Sequence, residues 1–219
     1  MSGVLIVVPR YHHQPRALAS HDALVAPCPV AHLSLADGDV HANPYQNITD
    51  KYTRGRDMAL DLDYDAMLCL EDDMIVPPDA LTRLLALDAD IAYGLTVWRH
   101  GRPGWSARLS LDGAGRVANL SDDPAAARAA WGKVIDVAGV GTFCTLIKRR
   151  VLEALPFRLD PQWPSLCCDW WLSVDAQAQG FSQRADLGVV CGHITMEPTP
   201  RVLWPAVDSP TRLWRVELL

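Results

Sequence analysis

Three consecutive carboxylates, Glu71, Asp72 and Asp73, follow directly on the apolar run Ala66-Met67-Leu68-Cys69-Leu70. The run reads as a buried strand, which puts the acids at its carboxyl end. Crowded carboxylates that lose hydration repel one another, and the arrangement is costly unless a cation sits among them. In open α/β sheets ligands bind where the strands end. Hard oxygen donors in that place suit Mg²⁺ or Mn²⁺. The alternative is a solvated acidic turn that caps the next helix.

Further residues have matching chemistry. His193 follows Val189-Val190-Cys191-Gly192, so it too stands at a strand end, behind a glycine that allows close approach. Alone it reads as a structural histidine; beside a metal site it becomes a ligand candidate. Asp169 opens an expected helix over 169–179, where the helix dipole favours a carboxylate. It can cap that helix, serve as general base toward a hydroxyl, or do both. Of Trp170 and Trp171, one is expected in the core and the other as a platform for a sugar ring. Arg54 and Arg56 precede the acidic strand. Two residues apart, they do not share a helix face, so one is expected at a phosphate and the other in solvent. Asp37 and Asp39 follow the second strand, where a carboxylate meets a ribose or base, or simply makes a turn.

These residues need a frame. Strand signals at 4–8, 31–35, 66–70 and 91–97 alternate with helix signals at 15–26, from Asn47 or Thr49 to 62, and from Pro78 to 87. That order predicts a mostly parallel sheet with helices on both faces. A hairpin is expected over 108–111 and 117–120, then a helix over 122–130. Two apolar strands at 134–140 and 143–148, a helix at 149–155 and a last strand at 189–191 complete the domain. A single domain over residues 1–194 is expected, with residues 195–219 as an extended tail packed on it.

Composition narrows the class. The chain has 219 residues, of which 49% are apolar, enough for a sizeable core. Its 20 basic and 26 acidic residues give a net charge of −6, which argues against a nucleic-acid polymer as partner. No run of about 18 apolar residues predicts a membrane span. The run at 4–8 lacks a basic leader and a small-residue cleavage site, so it reads as a first strand and not as a signal peptide. No cysteine pair has C-x-x-C spacing, and reduced core thiols in a cytoplasmic protein are expected.

Taken in order, Val8-Pro9-Arg10-Tyr11, Arg56-Asp57, Leu70-Glu71-Asp72-Asp73-Met74, Pro77-Pro78-Asp79-Ala80-Leu81, Val140-Gly141-Thr142-Phe143 and Cys168-Asp169 resemble the GT-A fold glycosyltransferases, and within them the broad family-2-like group. The likeness covers about residues 3–194. It implies a single GT-A-like, Rossmann-like α/β domain that moves a sugar from a nucleotide-diphosphate sugar to an acceptor hydroxyl on a sugar, small molecule or glycan. It further implies Mn²⁺ or Mg²⁺ held by a D-x-D motif, matched here by Glu71, Asp72 and Asp73. Asp73 matches the usual metal ligand, Glu71 stands where the family usually has Asp, and Asp72 corresponds to a ribose contact. His193 is placed like the late metal-ligating histidine of some relatives. Asp169 resembles the base of inverting members, and would position the acceptor in a retaining one. Arg56 is similar to the arginine of the family's Arg-Asn element. Pro9, Tyr11 and Asp37 fall where the family holds the nucleotide base. Residues 97–133 and the tail would shape the acceptor side, with Trp98, Trp105 and Trp204 available for stacking; a homodimer is compatible with this sequence. The rival readings are a metal-dependent nucleotidyltransferase and a non-catalytic scaffold of the same shape. The first would want a glycine-rich phosphate loop after strand one, and no glycine lies between Pro9 and Asp37.

Overall fold

The computed structural model describes residues 3–12, 14–99 and 103–219. The chain opens with β1 (Val4–Pro9), α1 (Pro15–Asp22), β2 (Val30–Leu35), α2 (Pro44–Asp61) and β3 (Ala66–Leu70). Strands β1 and β3 are buried along their whole length, as strands covered by helices on both faces must be. Helix α2 begins earlier than the sequence suggests. Pro44 supplies the pre-set φ of a first helical residue, and the Asn43 side chain accepts from the Tyr45 N–H. Asn47, expected with Thr49 as one of two possible caps, instead accepts from the Val40 and His41 N–H groups and ties down the preceding loop.

Next come β4 (Met74–Ile75), α3 (Ala80–Ala86), β5 (Ile91–Leu95), the hairpin β6 (Arg108–Leu111) and β7 (Val117–Asn119), α4 (Pro124–Ala130), β8 (Val134–Asp136), β9 (Cys144–Lys148), α5 (Arg149–Ala154) and α6 (Cys168–Ala178). The chain ends with β10 (Gln183–Val190), β11 (Gly192–Thr195), β12 (Arg201–Pro205) and β13 (Trp214–Leu218). The last domain strand therefore starts six residues before the apolar triplet at 189–191. Its first half was hidden by Arg184 and Asp186, which are paired to Asp136 and Arg83 respectively.

The central sheet has the order β2-β1-β3-β9-β5-β10-β8. Five of its seven strands run the same way, with β9 and β8 against them, so the α/β sheet is mostly parallel as expected. Its core is formed by Ile6, Met67, Leu68, Leu70, Ile91, Leu95 and Ile147 among others. Cys69, Cys144 and Cys191 are free and buried in it.

A smaller sheet, β13-β12-β11-β4, crosses the edge where the parallel strands end. Residues 195–219 contribute its hairpin β12–β13. The two-residue strand β4 carried no readable signal in the sequence, yet it anchors this sheet to the acidic strand end.

Helix α2 lies close on β1 because residue 55 is glycine. A Cβ added there would sit 2.7 Å from Val7 Cγ1. Gly55→Ala is expected to cost about 1–3 kcal/mol despite the better helix propensity of alanine, because overpacking against β1 outweighs it. Urea unfolding with an unchanged m value and a lower midpoint would show this.

Candidate active site

The parallel strands end on one edge, and there the chain leaves a cavity of about 740 Å³. Pro9, Tyr11 and His12 reach it from the end of β1, Glu71, Asp72 and Asp73 from the end of β3, and Trp98 and Arg99 from beyond β5. Thr142 and Phe143 enter from the start of the reversed strand β9, and Asp169 and Trp170 from the first turn of α6. The volume falls in the range of small-molecule sites.

Asp73 and His193 meet because β4 pairs with β11. His193 lies opposite Met74, and the Ile194 N–H donates to the Asp73 carbonyl at 2.9 Å. Gly192 makes this possible, since a Cβ there would fall 2.7 Å from Val202 and from the Trp204 ring. Glu71, Asp73 and His193 each offer one ligand atom, and those atoms lie within 4.8 Å of one another.

The histidine ring is held by the backbone. Its Nδ1 is 2.9 Å from the Val97 carbonyl, an acceptor only, so Nδ1 carries a proton, and Nε2 is the nitrogen left to donate to Asp73 or, unprotonated, to bind a cation. Nε2 is 3.7 Å from Asp73 Oδ2. Both His193 Nε2 and Asp73 Oδ1 are buried without a hydrogen-bond partner among the described residues. A backbone carbonyl that orients an imidazole in this way is the usual support of a metal ligand.

The charges agree. Burial pushes the Glu71 carboxyl well above the usual carboxylate range, and Asp73 adds to this, as do Asp169 and Asp72 more weakly; Arg99 only partly offsets it. Burial also raises the Asp73 carboxyl, but contacts with His193 and Arg99 outweigh it and hold it low. Arg99 lies against Asp73 Oδ2 and takes part of its charge. A divalent cation between the two acids would favour the ionised form of both.

Asp72 has a different place from its neighbours. Its Oδ2 accepts the N–H groups of Tyr11 and His12, both at 2.6 Å. Asp72 thus fixes the loop after β1 that forms one cavity wall. Asp72→Ala is expected to cost about 2–4 kcal/mol in stability, since it removes two charge-assisted bonds and leaves two donors unpaired. Thermal unfolding of the ligand-free protein reads this directly.

Tyr11 lines the cavity, with the buried Lys51 ammonium 3.7 Å from its ring centroid. Two expected residues lie elsewhere. Arg56 Nε donates to the Leu152 and Leu155 carbonyls at 2.7 and 3.1 Å, so its guanidinium braces the end of α5 and does not line the cavity. Asp37 is exposed and pairs with Arg54 at 2.5 Å, whereas Asp39 lines the cavity. Helix α2 thus turns Arg56 toward α5, while Arg54, on another face, reaches the loop after β2.

The tryptophans also sort themselves. Trp98 and Trp170 line the cavity. Trp171 packs with Leu111 and Ala138. Trp105 is fully buried, donates to the Leu213 carbonyl at 2.5 Å and packs on Trp131, so it offers no free face. Trp204 packs beside Ile194 and Val202 and donates to Glu217.

Sequence reasoning missed Arg99 and Arg108, which line the cavity from irregular and hairpin segments with no motif around them. Trp98, ten residues before Arg108, was the available signal. Residues 100–102 of the segment expected to shape the acceptor side lie outside the described residues. Among the described residues no helix is long and apolar enough to cross a membrane.

Among solved structures, the chain is similar to A197 from STIV, with a TM-score of 0.59 and 18% identity over 99% of this chain and 93% of that one. It is also similar to GalNAc-T7 with UDP, GalNAc and Mn²⁺, with a TM-score of 0.54 and 10% identity over 88% of this chain and 44% of that one. The chain therefore spans less than half the length of GalNAc-T7. At such identities the likeness is one of fold, and the fold is α/β and GT-A-like. No family model and no curated protein sequence matches the chain.

Proposed function

We propose that this chain is a metal-dependent glycosyltransferase that moves a sugar from a nucleotide-diphosphate sugar to an acceptor hydroxyl. One observation carries the reading: Glu71, Asp73 and His193 converge at a strand-end cavity, with Nδ1 of His193 donating to Val97 and Nε2 left toward Asp73. The trio fits a divalent cation, and the two buried atoms without a hydrogen-bond partner among the described residues support this. One imidazole among carboxylates suits Mn²⁺ better than Mg²⁺, which prefers an all-oxygen shell. When bound, the cation supplies positive charge opposite a diphosphate leaving group. GalNAc-T7, which shares the fold, was crystallised with UDP, GalNAc and Mn²⁺, and that supports the same donor class here.

The chain's own residues have the following roles in this reading. Tyr11 and Asp39 border the nucleotide, on a wall that Asp72 holds in place. Asp169 faces the acceptor hydroxyl. As the acceptor oxygen bonds to the anomeric carbon and the bond to the diphosphate breaks, Asp169 takes the hydroxyl proton. Trp98 and Trp170 present aromatic surface to a sugar.

The test is a thermal-shift series with UDP, GDP, CDP and dTDP, each with and without Mn²⁺. A rise in Tm with one diphosphate that needs Mn²⁺ is expected. No response to any of them would overturn the transferase reading in favour of a scaffold, and a response to triphosphates alone would point to nucleotidyl transfer.

A further inference from the structure

Arg108 opens β6 and lines the cavity, yet the cation trio and the proton transfer leave it unused. It is 4% exposed. Its guanidinium carbon lies 4.8 Å from the Trp98 ring centroid and 5.1 Å from that of Trp170. Its side-chain hydrogen bond runs from Nη2 to Asp169 Oδ2 at a long 3.4 Å. Nη1 is buried with no partner among the described residues.

A guanidinium has five N–H donors arranged to meet an oxyanion side-on. Burying one against two indoles and a distant carboxylate leaves most of that capacity unfilled. The indole faces attract the charge but accept none of the in-plane hydrogen bonds. Water removed from such a group is costly to lose without replacement. The missing partner must be negative, must carry planar or tetrahedral oxygens, and must come from whatever fills the cavity next to Asp169.

We infer that Arg108 is an anion-recognition residue, and that the substrate entering beside Asp169 carries a carboxylate or phosphate that pairs with it. The identity of that substrate rests on the transferase reading; the anion site does not. The oxyanion comes either from the transferred sugar, as a uronate, or from the acceptor.

Intrinsic tryptophan fluorescence is the natural readout, because two indoles touch the guanidinium. The donor arm compares UDP-glucuronate with UDP-glucose in Mn²⁺. The acceptor arm compares glucose 6-phosphate with glucose on protein saturated with UDP and Mn²⁺. Both arms use uridine nucleotides, replaced by those of another base if the thermal-shift series selects it. In one arm the charged probe is expected to bind on the order of tenfold tighter or more than the neutral one, the scale of a charge-assisted pair. Arg108→Gln should erase that preference and leave the neutral probe unchanged, while Arg108→Lys keeps part of it.

Asp169→Asn gives an independent check that does not depend on the Arg108 variants folding. It frees the guanidinium, so the charged probe should tighten several-fold; if Arg108 served only to brace Asp169, no tightening would follow. Equal binding of charged and neutral probes in both arms, or equal weakening of all probes by Arg108→Gln, overturns the inference. Should no diphosphate bind at all, glucose 6-phosphate against glucose on the ligand-free protein decides. A charge preference there keeps the anion site while the transferase reading falls, and no preference overturns both.

Discussion

Asp73→Asn is expected to abolish the Mn²⁺-dependent thermal shift and to lower sugar transfer on the order of 10³-fold or more. Asparagine keeps the shape of the side chain and removes the charge. The carboxylate it replaces is 5% exposed and has one oxygen toward Arg99 and His193 and the other without a partner among the described residues. In the proposed reaction a cation at this site would offset charge that builds on the leaving group, and electrostatic contributions of that kind are among the largest in catalysis. Calorimetric titration with Mn²⁺ and initial rates with a saturating donor would measure the two effects. Wild-type metal affinity in the variant would remove the trio from the reaction.

Glu71→Gln separates binding from stability. Because burial and Asp73 raise the Glu71 carboxyl, its ionised form is disfavoured in the folded protein. Neutralising it is therefore expected to raise the Tm of the metal-free protein while weakening Mn²⁺. A variant that loses both stability and metal would assign Glu71 an ordinary structural role.

The second large effect is at Asp169. Its replacement by asparagine is expected to reduce kcat by about 10²–10⁴-fold, the range for loss of a positioned base. Diphosphate and Mn²⁺ binding should stay within about threefold of wild type, since the trio lies on other strands. Asp169 stands in the first turn of α6, where the dipole stabilises its charge, and its Oδ2 faces Arg108. The KM-against-kcat split is the measurement. An unchanged kcat would mean that the acceptor proton leaves by another route.

The acidic strand end was legible because period and position coincide there. Five buried residues and then three acids can be read from local sequence. Asp169 was legible for a similar reason, as a carboxylate at the start of an apolar helix. Asp72 was placed with its neighbours in the triplet, but nothing local showed that its oxygen would hold the loop after β1. Arg56 and Asp37 show the converse. Their types and places along the chain suited a nucleotide, but the rotation of α2 turns Arg56 toward the end of α5, and Asp37, in the loop after β2, pairs with Arg54. Helix spacing fixes which residues share a face and does not fix which way that face points.

What the amino-acid order determined by itself was the alternation of strands and helices, the mostly parallel sheet, and a concentration of negative charge at one strand end. The alternation and the acidic strand end follow from local periodicity, and the parallel sheet from the crossover that each strand-helix-strand unit imposes. Tertiary structure alone decided that His193 stands beside Asp73, through a two-residue strand pairing with β11, and that Arg108 is enclosed by Trp98 and Trp170. Those meetings depend on pairing register and close packing between distant segments, which no local pattern encodes.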